Sequence, residues 1–117
     1  MNKKLGNVIR EIRKKQGVSL RKLAESVGVS FVNISYIENG RIETSKNVLK
    51  KISEALDYDF DKLLALAKKV DDDVTAIINK RPNAVPNFLR SAKNLNNNDW
   101  EELKKHVQKI NKRKENK

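Results

Sequence analysis

The side chains best suited to recognising another molecule lie between Leu20 and Arg41, where the chain reads LRKLAESVGVSFVNISYIENGR. Ile34 and Ile37 have the spacing of the buried face of a short helix, so their neighbours point outward. The outward groups are an amide, hydroxyls and apolar side chains, which can form hydrogen bonds and van der Waals contacts but include no activated nucleophile. The five outward residues are Phe31, Val32, Asn33, Ser35 and Tyr36.

Two short helices joined by a tight turn must position these side chains. The small Ala24 lets the second helix cross the first closely, and Gly28 can adopt the positive φ that the turn requires. Ser30 is the predicted N-cap of the second helix, and Asn39-Gly40 is the predicted stop. This arrangement leaves the outer face of the second helix free to enter the major groove of DNA.

Composition favours a polyanionic partner. The 117 residues include 26 Lys and Arg against 15 Asp and Glu, a net charge of +11. Such an excess suits nucleic acid first and a membrane surface second, although a merely solvated charged surface has the same composition. There are no cysteines, which excludes disulfides and thiolate metal sites. Because no apolar run resembles a signal peptide or a membrane span, we expect a cytoplasmic protein of bacterial or phage origin.

Helical periodicity runs through almost the whole chain and predicts an all-α protein. Residues 1–69 are expected to form five short helices around one small core. The predicted N-caps of the second and third helices are Ser19 and Ser30. Thr44 or Ser45 is expected to cap the fourth helix, and Asp57 or Asp59 the fifth.

Residues 70–117 are predicted to form a separate C-terminal helical region. The acidic run Asp71-Asp72-Asp73 fits a helix N-terminus better than a cation site. A helix beginning near Pro86 is expected to bury Phe88, Leu89 and Ala92. Asn96 with Asp99 three residues later predicts a capping box for the last helix. From about Lys112 the basic end is expected to be disordered.

The stretch from about Leu5 to Leu66 resembles the Cro/C1-type helix-turn-helix domain of phage repressors, also called the XRE family. The resemblance rests on a series of residues at the family's spacing rather than on one short motif. The series comprises Arg13, Gly17-Val18-Ser19-Leu20-Arg21-Lys22-Leu23-Ala24, Val27-Gly28-Val29-Ser30, Ile34 and Ile37-Glu38-Asn39-Gly40-Arg41.

The resemblance implies a five-helix phage-repressor-like domain in which residues 30–38 form the helix that reads DNA. By analogy, the N-terminal half of its outer face meets base edges. Asn33 can then pair with adenine through two hydrogen bonds, whereas Phe31 and Val32 can contact thymine methyl groups. The Tyr36 hydroxyl can reach a phosphate or a base. Alternatively, Phe31 covers the domain's own core or a dimer contact.

The resemblance also implies phosphate contacts and a structural salt bridge. The family usually has Gln where Leu20 stands, so Arg21 or Lys22 is expected to replace that phosphate contact. Arg13 and Glu38 match a partly buried ion pair that joins the first helix to the end of the reading helix. The implied phosphate-contact residues are Ser19, Arg21, Lys22, Ser30, Asn39 and Arg41.

The C-terminal segment resembles tails found on small repressor-like regulators of Gram-positive bacteria. Three short helices cannot bury a sizeable core by themselves, so their apolar faces need another surface. We expect that surface to be a second copy of the chain, with an extension of the first domain's core as the alternative. A third interpretation is a docking site for an inducer protein, antirepressor or toxin. The expected dimerisation residues are Phe88, Trp100, Leu103, Val107 and Ile110.

Together these features predict a sequence-specific regulator of transcription, a dimeric repressor that binds a palindromic double-stranded DNA operator. The alternative is an antitoxin or another protein-interaction module whose DNA binding serves autoregulation. No cluster of His, Cys and carboxylates has catalytic spacing, so we expect neither an enzyme nor a cofactor. The single histidine, His106, lies among Lys104, Lys105 and Gln108 and is expected to be a surface residue without a metal.

Overall fold

The computed structural model describes residues 2–116, and this part of the chain contains α-helices and no β-strand. The prediction of an all-α fold with further C-terminal helices is therefore confirmed. The elements in chain order are α1 (Lys3–Lys15), α2 (Leu20–Val27), α3 (Phe31–Glu38), α4 (Lys46–Leu56), α5 (Phe60–Leu66), α6 (Asp72–Lys80), α7 (Ala84–Ser91) and α8 (Asn97–Glu115).

Side-chain caps define where the first five helices begin. Ser19 and Ser30 cap α2 and α3, as predicted, by accepting a hydrogen bond from a main-chain N–H three residues later. Of the alternatives left open for α4 and α5, Ser45 and Asp59 act as the N-caps. The side chain of Asn2 caps α1 in the same way. Each cap satisfies an N–H group that the helix itself leaves unpaired.

The core of the first five helices is apolar and closed. It contains two or more fully buried side chains from each helix, which fixes α2 and α3 against the other three helices. The buried apolar residues are Leu5, Ile9, Leu23, Ala24, Val27, Ile34, Ile37, Leu49, Ile52, Leu56, Leu63 and Leu64.

The chain divides into two compact units between Thr75 and Ala76. Within residues 76–116, Ala92 is the one fully buried apolar residue. Phe88 and Leu89 on α7 are 48% and 46% exposed, so the expectation that they are buried is wrong for the single chain. The reason is that so small a unit cannot enclose several large side chains in a core of its own.

The last helix, α8, begins with the predicted capping box. The Asn96 side chain accepts a hydrogen bond from the N–H of Asp99, and the Asp99 carboxylate accepts one from the N–H of Asn96. The expected disorder from Lys112 onward is wrong, because α8 continues to Glu115. Basic side chains in its last turn complement the negative end of the helix dipole and support this longer helix. Lys117, at the end of the expected disordered segment, lies outside the described residues.

No helix between residues 2 and 116 combines the length and the apolar character needed to cross a membrane.

Candidate nucleic-acid interface

Helices α2 and α3 form a helix-turn-helix whose turn is set by local sequence. Gly28 adopts φ +81°, the left-handed conformation predicted for it, and its N–H bonds to the Ala24 carbonyl. The Oγ atom of Ser30 then accepts a hydrogen bond of 3.1 Å from the N–H of Asn33. The left-handed residue and the cap fix where α3 starts and the direction in which it leaves the turn.

The outer face of α3 carries the five side chains that were predicted to point outward. Ile34 and Ile37 are buried, whereas Phe31, Val32 and Tyr36 are each about two-fifths exposed. The other two residues of this face, Asn33 and Ser35, are half-buried. The face is thus mixed, with apolar groups and hydrogen-bonding groups side by side.

Two arginines flank this face, and each contacts one of its aromatic rings. The guanidinium carbon of Arg21, on α2, lies 4.8 Å from the centre of the Phe31 ring. The guanidinium carbon of Arg41 lies 5.9 Å from the centre of the Tyr36 ring. Both distances fall within the range of cation–π interaction. The structure thus brings two predicted phosphate-contact residues next to two predicted base-contact residues.

The turn after α3 holds Arg41 in place. The N–H of Arg41 donates to the Tyr36 carbonyl at 2.8 Å, and the N–H of Gly40 donates to the Ile37 carbonyl at 3.1 Å. These two bonds form a Schellman motif, with Gly40 at φ +70°. The stop predicted from Asn39-Gly40 therefore also places the next residue, Arg41, beside α3.

The other four candidate phosphate-contact residues differ in their hydrogen bonding. Ser19 and Ser30 are exposed, and their oxygens accept capping bonds while their hydroxyl hydrogens stay free to donate. Lys22 is exposed as well. Asn39 is exposed, but its side-chain oxygen accepts from Arg10 and its amide nitrogen lies 3.5 Å from the hydroxyl of Ser35.

Arg13 and Glu38 form a buried, two-pronged ion pair. The Nε atom of Arg13 lies 2.7 Å from Oε2 of Glu38, and its Nη2 atom lies 3.0 Å from Oε1. A third bond joins Nη1 of Arg13 to the carbonyl of Val18 at 2.9 Å. The hydrogen bond to Glu38 raises the pKa of Arg13 above its usual value, so this side chain stays charged. The pair ties α1 to the last residue of α3.

Arg10 is a second partner of Glu38 that was not identified from the sequence. Its Nε atom lies 3.4 Å from Oε1 of Glu38, and its Nη2 atom donates to the side-chain oxygen of Asn39. Arg10 precedes Arg13 by three residues and so shares its helix face. The sequence shows that the two arginines share a helix face, but it does not show which acidic side chain they contact.

Leu20 has a structural role. It is half-buried and packs against the core, so it contributes apolar area rather than a hydrogen bond. The neighbouring exposed side chain on α2 is Arg21, whose guanidinium lies beside α3. Arg21 and Lys22, the two basic residues expected to replace the family's Gln, are both exposed.

No group of three or more His, Asp or Glu side chains within residues 2–116 could hold a metal ion. His106 is exposed on α8. The chemistry that this surface offers consists of hydrogen bonds, apolar contacts and positive charge.

The fold and the site define a helix-turn-helix protein, and comparison with known sequences agrees. The helix-turn-helix family model HTH_3 matches residues 9–63, and the chain belongs to this family of DNA-binding transcriptional regulators. The chain is 40% identical over 68 residues to a Methanocaldococcus jannaschii protein named as an HTH-type transcriptional regulator. It is 30% identical over 69 residues to the competence pilus inhibition repressor of Acinetobacter baylyi. These matches cover 58% and 59% of this chain, which spans 21% and 63% of the two curated relatives.

Two solved structures resemble the fold. The clp gene regulator ClgR of Corynebacterium glutamicum superposes with a TM-score of 0.50 at 30% identity, covering 74% of this chain and 88% of that chain. A chain of the SinR protein/SinI protein complex superposes with a TM-score of 0.50 at 25% identity, covering 92% of this chain and 97% of that chain. The second likeness extends beyond the helix-turn-helix into the C-terminal helices.

Proposed function

We propose that this protein represses transcription by binding a palindromic double-stranded DNA operator as a homodimer, with α3 in the major groove. One observation carries the proposal: the outer face of α3 is exposed and lies between two basic side chains. Neither Arg21 nor Arg41 has an ion-pair partner within residues 2–116, so both charges are available to phosphates. A major groove is wide enough to admit such a helix.

The ion pairs that neutralise the Glu38 carboxylate within the protein support the same function. This carboxylate lies at the end of α3, where an unpaired negative charge would repel the DNA backbone. It is only 2% exposed and is paired with Arg13 and Arg10. The reading helix therefore presents no free carboxylate to the duplex.

The proposed homodimer rests on the apolar surface of the second unit. Phe88, Trp100 and Val107 are between 41% and 53% exposed in the single chain. On α8 the apolar positions 100, 103, 107 and 110 are separated by three, four and three residues, the spacing of helices that pair side by side. A second copy would cover this stripe and place two reading helices on half-sites about one DNA turn apart.

Repression is favoured over activation by the relatives. The Acinetobacter baylyi protein is named as a repressor, and the site supports occupancy of DNA without any further activity. A bound dimer would act by excluding RNA polymerase from the operator.

A second candidate function is binding to another protein, with DNA binding serving autoregulation, as in an antitoxin. The likeness to a chain of the SinR protein/SinI protein complex favours it, because that chain was solved with a different protein. The same apolar stripe on α8 would then bind a partner helix, such as that of an inducer protein, antirepressor or toxin.

Selection of bound sequences from a random duplex pool tests the main proposal. We expect enrichment of one palindromic sequence, and a binding constant that falls steeply with salt. A dimer that makes about six phosphate contacts should give a slope of about −5 for log affinity against log salt. A slope near zero, or no enriched sequence, would show that the proposal is wrong.

A further inference from the structure

We propose that Phe31 contributes to DNA binding by positioning Arg21 for a phosphate rather than by contacting a base. This inference deepens the proposed function and depends on it. Its basis is the contact between the Arg21 guanidinium and the Phe31 ring, at 4.8 Å from the ring centre. A guanidinium that packs its flat face on an aromatic ring keeps the N–H groups at its edge free to donate.

The place of Phe31 on α3 supports a positioning role. At about 100° per residue, Phe31 lies only about 60° from the buried Ile34 around the helix axis. Val32 and Tyr36 each lie about 160° from Ile34, which is the direction that would face the groove floor. Phe31 is therefore at the edge of the reading face, on the side where α2 presents Arg21.

The phosphate would lie at the start of α2, where two kinds of donor meet. Arg21 is the second residue of α2, and the N–H groups of its first turn have no acceptor within the helix apart from the Ser19 cap. These N–H groups and the positive end of the helix dipole already favour an anion. A guanidinium held beside them would add a charged, two-pronged contact.

The Phe31 ring also competes with the Glu25 carboxylate for the Arg21 guanidinium. Glu25 follows Arg21 by one helical turn, the spacing at which opposite charges commonly pair. No ion pair joins Arg21 and Glu25 in the part of the chain that the structure describes. The contact with Phe31 thus keeps the charge of Arg21 available, and it also reduces the entropy that a long, free side chain would lose on binding.

The test compares variants of Phe31 that distinguish the contribution of its aromatic ring from that of its apolar volume. Leu retains a group able to contact a thymine methyl, whereas Tyr retains a ring that can stack on a guanidinium. We expect Phe31→Leu to weaken binding about two- to fivefold for each chain bound, equally on the selected operator and on unrelated duplex. Phe31→Tyr should lose less affinity than Phe31→Leu on both duplexes.

Variants of Arg21, combined with those of Phe31, complete a double-mutant cycle. Arg21→Gln should weaken binding and reduce the salt slope by about one for each chain, and Phe31→Leu should then have no further effect. Arg21→Lys keeps the charge but loses the planar stack, so it should weaken binding as Phe31→Leu does. Circular dichroism melts of every variant establish that the fold is retained, and Arg21→Lys carries the test if a Phe31 variant does not fold.

Two results would overturn the inference while leaving the proposed function intact. One is a loss in Phe31→Leu confined to a particular base pair, which would make Phe31 a base-reading residue. The other is the same loss in the Arg21→Gln background, which would remove any coupling between the two side chains. If the wild-type protein binds no duplex at any salt concentration, the proposed function fails and this inference fails with it.

Discussion

The Cα atom of Gly6 lies directly against the main-chain carbonyl of Glu38. A methyl group placed on Gly6 would come within 2.2 Å of that carbonyl oxygen and within 2.6 Å of its carbon. The obstructing atoms are backbone, so no side chain can move aside to make room. Gly6 therefore sets how closely α1 approaches the end of α3, at the same residue whose carboxylate pairs with Arg13.

Replacing Gly6 by alanine should destabilise the protein. At an unobstructed position inside a helix this change is stabilising by roughly 0.5–1 kcal/mol. Here the overlap forces α1 and α3 apart, and we expect a loss of about 2–4 kcal/mol in the free energy of unfolding. Urea denaturation followed by circular dichroism measures the difference.

Gly17→Ala is the matched control for Gly6→Ala. A methyl group on Gly17 meets no atom within 4 Å, but its φ of +70° strains any other residue. We expect a loss of roughly 1–2 kcal/mol from backbone strain alone. Equal stability of the Gly6→Ala variant and the wild type would contradict the close approach of α1 and α3.

Arg13→Ala should also cost stability. Glu38 is buried and would keep only Arg10, a partner that is itself 37% exposed and 3.4 Å away. Removing one member of a buried ion pair leaves an uncompensated charge, so we expect a loss of about 3 kcal/mol or more. A thermal melt and a urea titration measure it.

Arg10→Ala provides the comparison for Arg13→Ala. Because Arg10 is partly exposed, its ion pair is screened by solvent and should contribute about 1 kcal/mol or less. If both variants lost the same stability, the assignment of Arg13 as the principal partner of Glu38 would be wrong.

Asn33→Ala and Tyr36→Ala should relax sequence specificity. If each side chain contacts one base pair, its loss should cost about 1–3 kcal/mol at that position and little at the others. Titrations of single-base operator variants by fluorescence anisotropy measure the pattern. Lys22→Ala is the control, since loss of a phosphate contact weakens binding uniformly. Uniform weakening by the Asn33 and Tyr36 variants would exclude them from base reading.

A charge on the apolar stripe of α8 should prevent dimerisation. Val107 is 53% exposed in the single chain, and Val107→Asp would place a carboxylate inside the proposed interface without disturbing the core. We expect a monomer by analytical ultracentrifugation and a binding curve that no longer favours the palindrome over a half-site. Val70→Asp, at a similarly exposed valine outside this stripe, should leave the dimer intact. An unchanged dimer in Val107→Asp would place the interface elsewhere.

Much of this protein could be predicted from its sequence because the deciding signals are local. The helices follow from apolar spacing, and their starts follow from Ser19, Ser30 and the Asn96 capping box, which act within a few residues. The left-handed turn at Gly28 is equally local. The same local rules failed at the C-terminus, where composition indicated disorder but α8 continues to Glu115.

Apart from the Arg13–Glu38 pair, which the family resemblance implied, only the tertiary structure decided which distant groups meet. The sequence analysis singled out neither Gly6 nor Arg10, because their roles depend on the packing of α1 against the end of α3. The cation–π contact between Arg21 and Phe31 likewise depends on the angle between α2 and α3. The physical reason is that sequence periodicity specifies which face of a helix is buried, whereas the partner of that face is set by how all the side chains of the core fill space together.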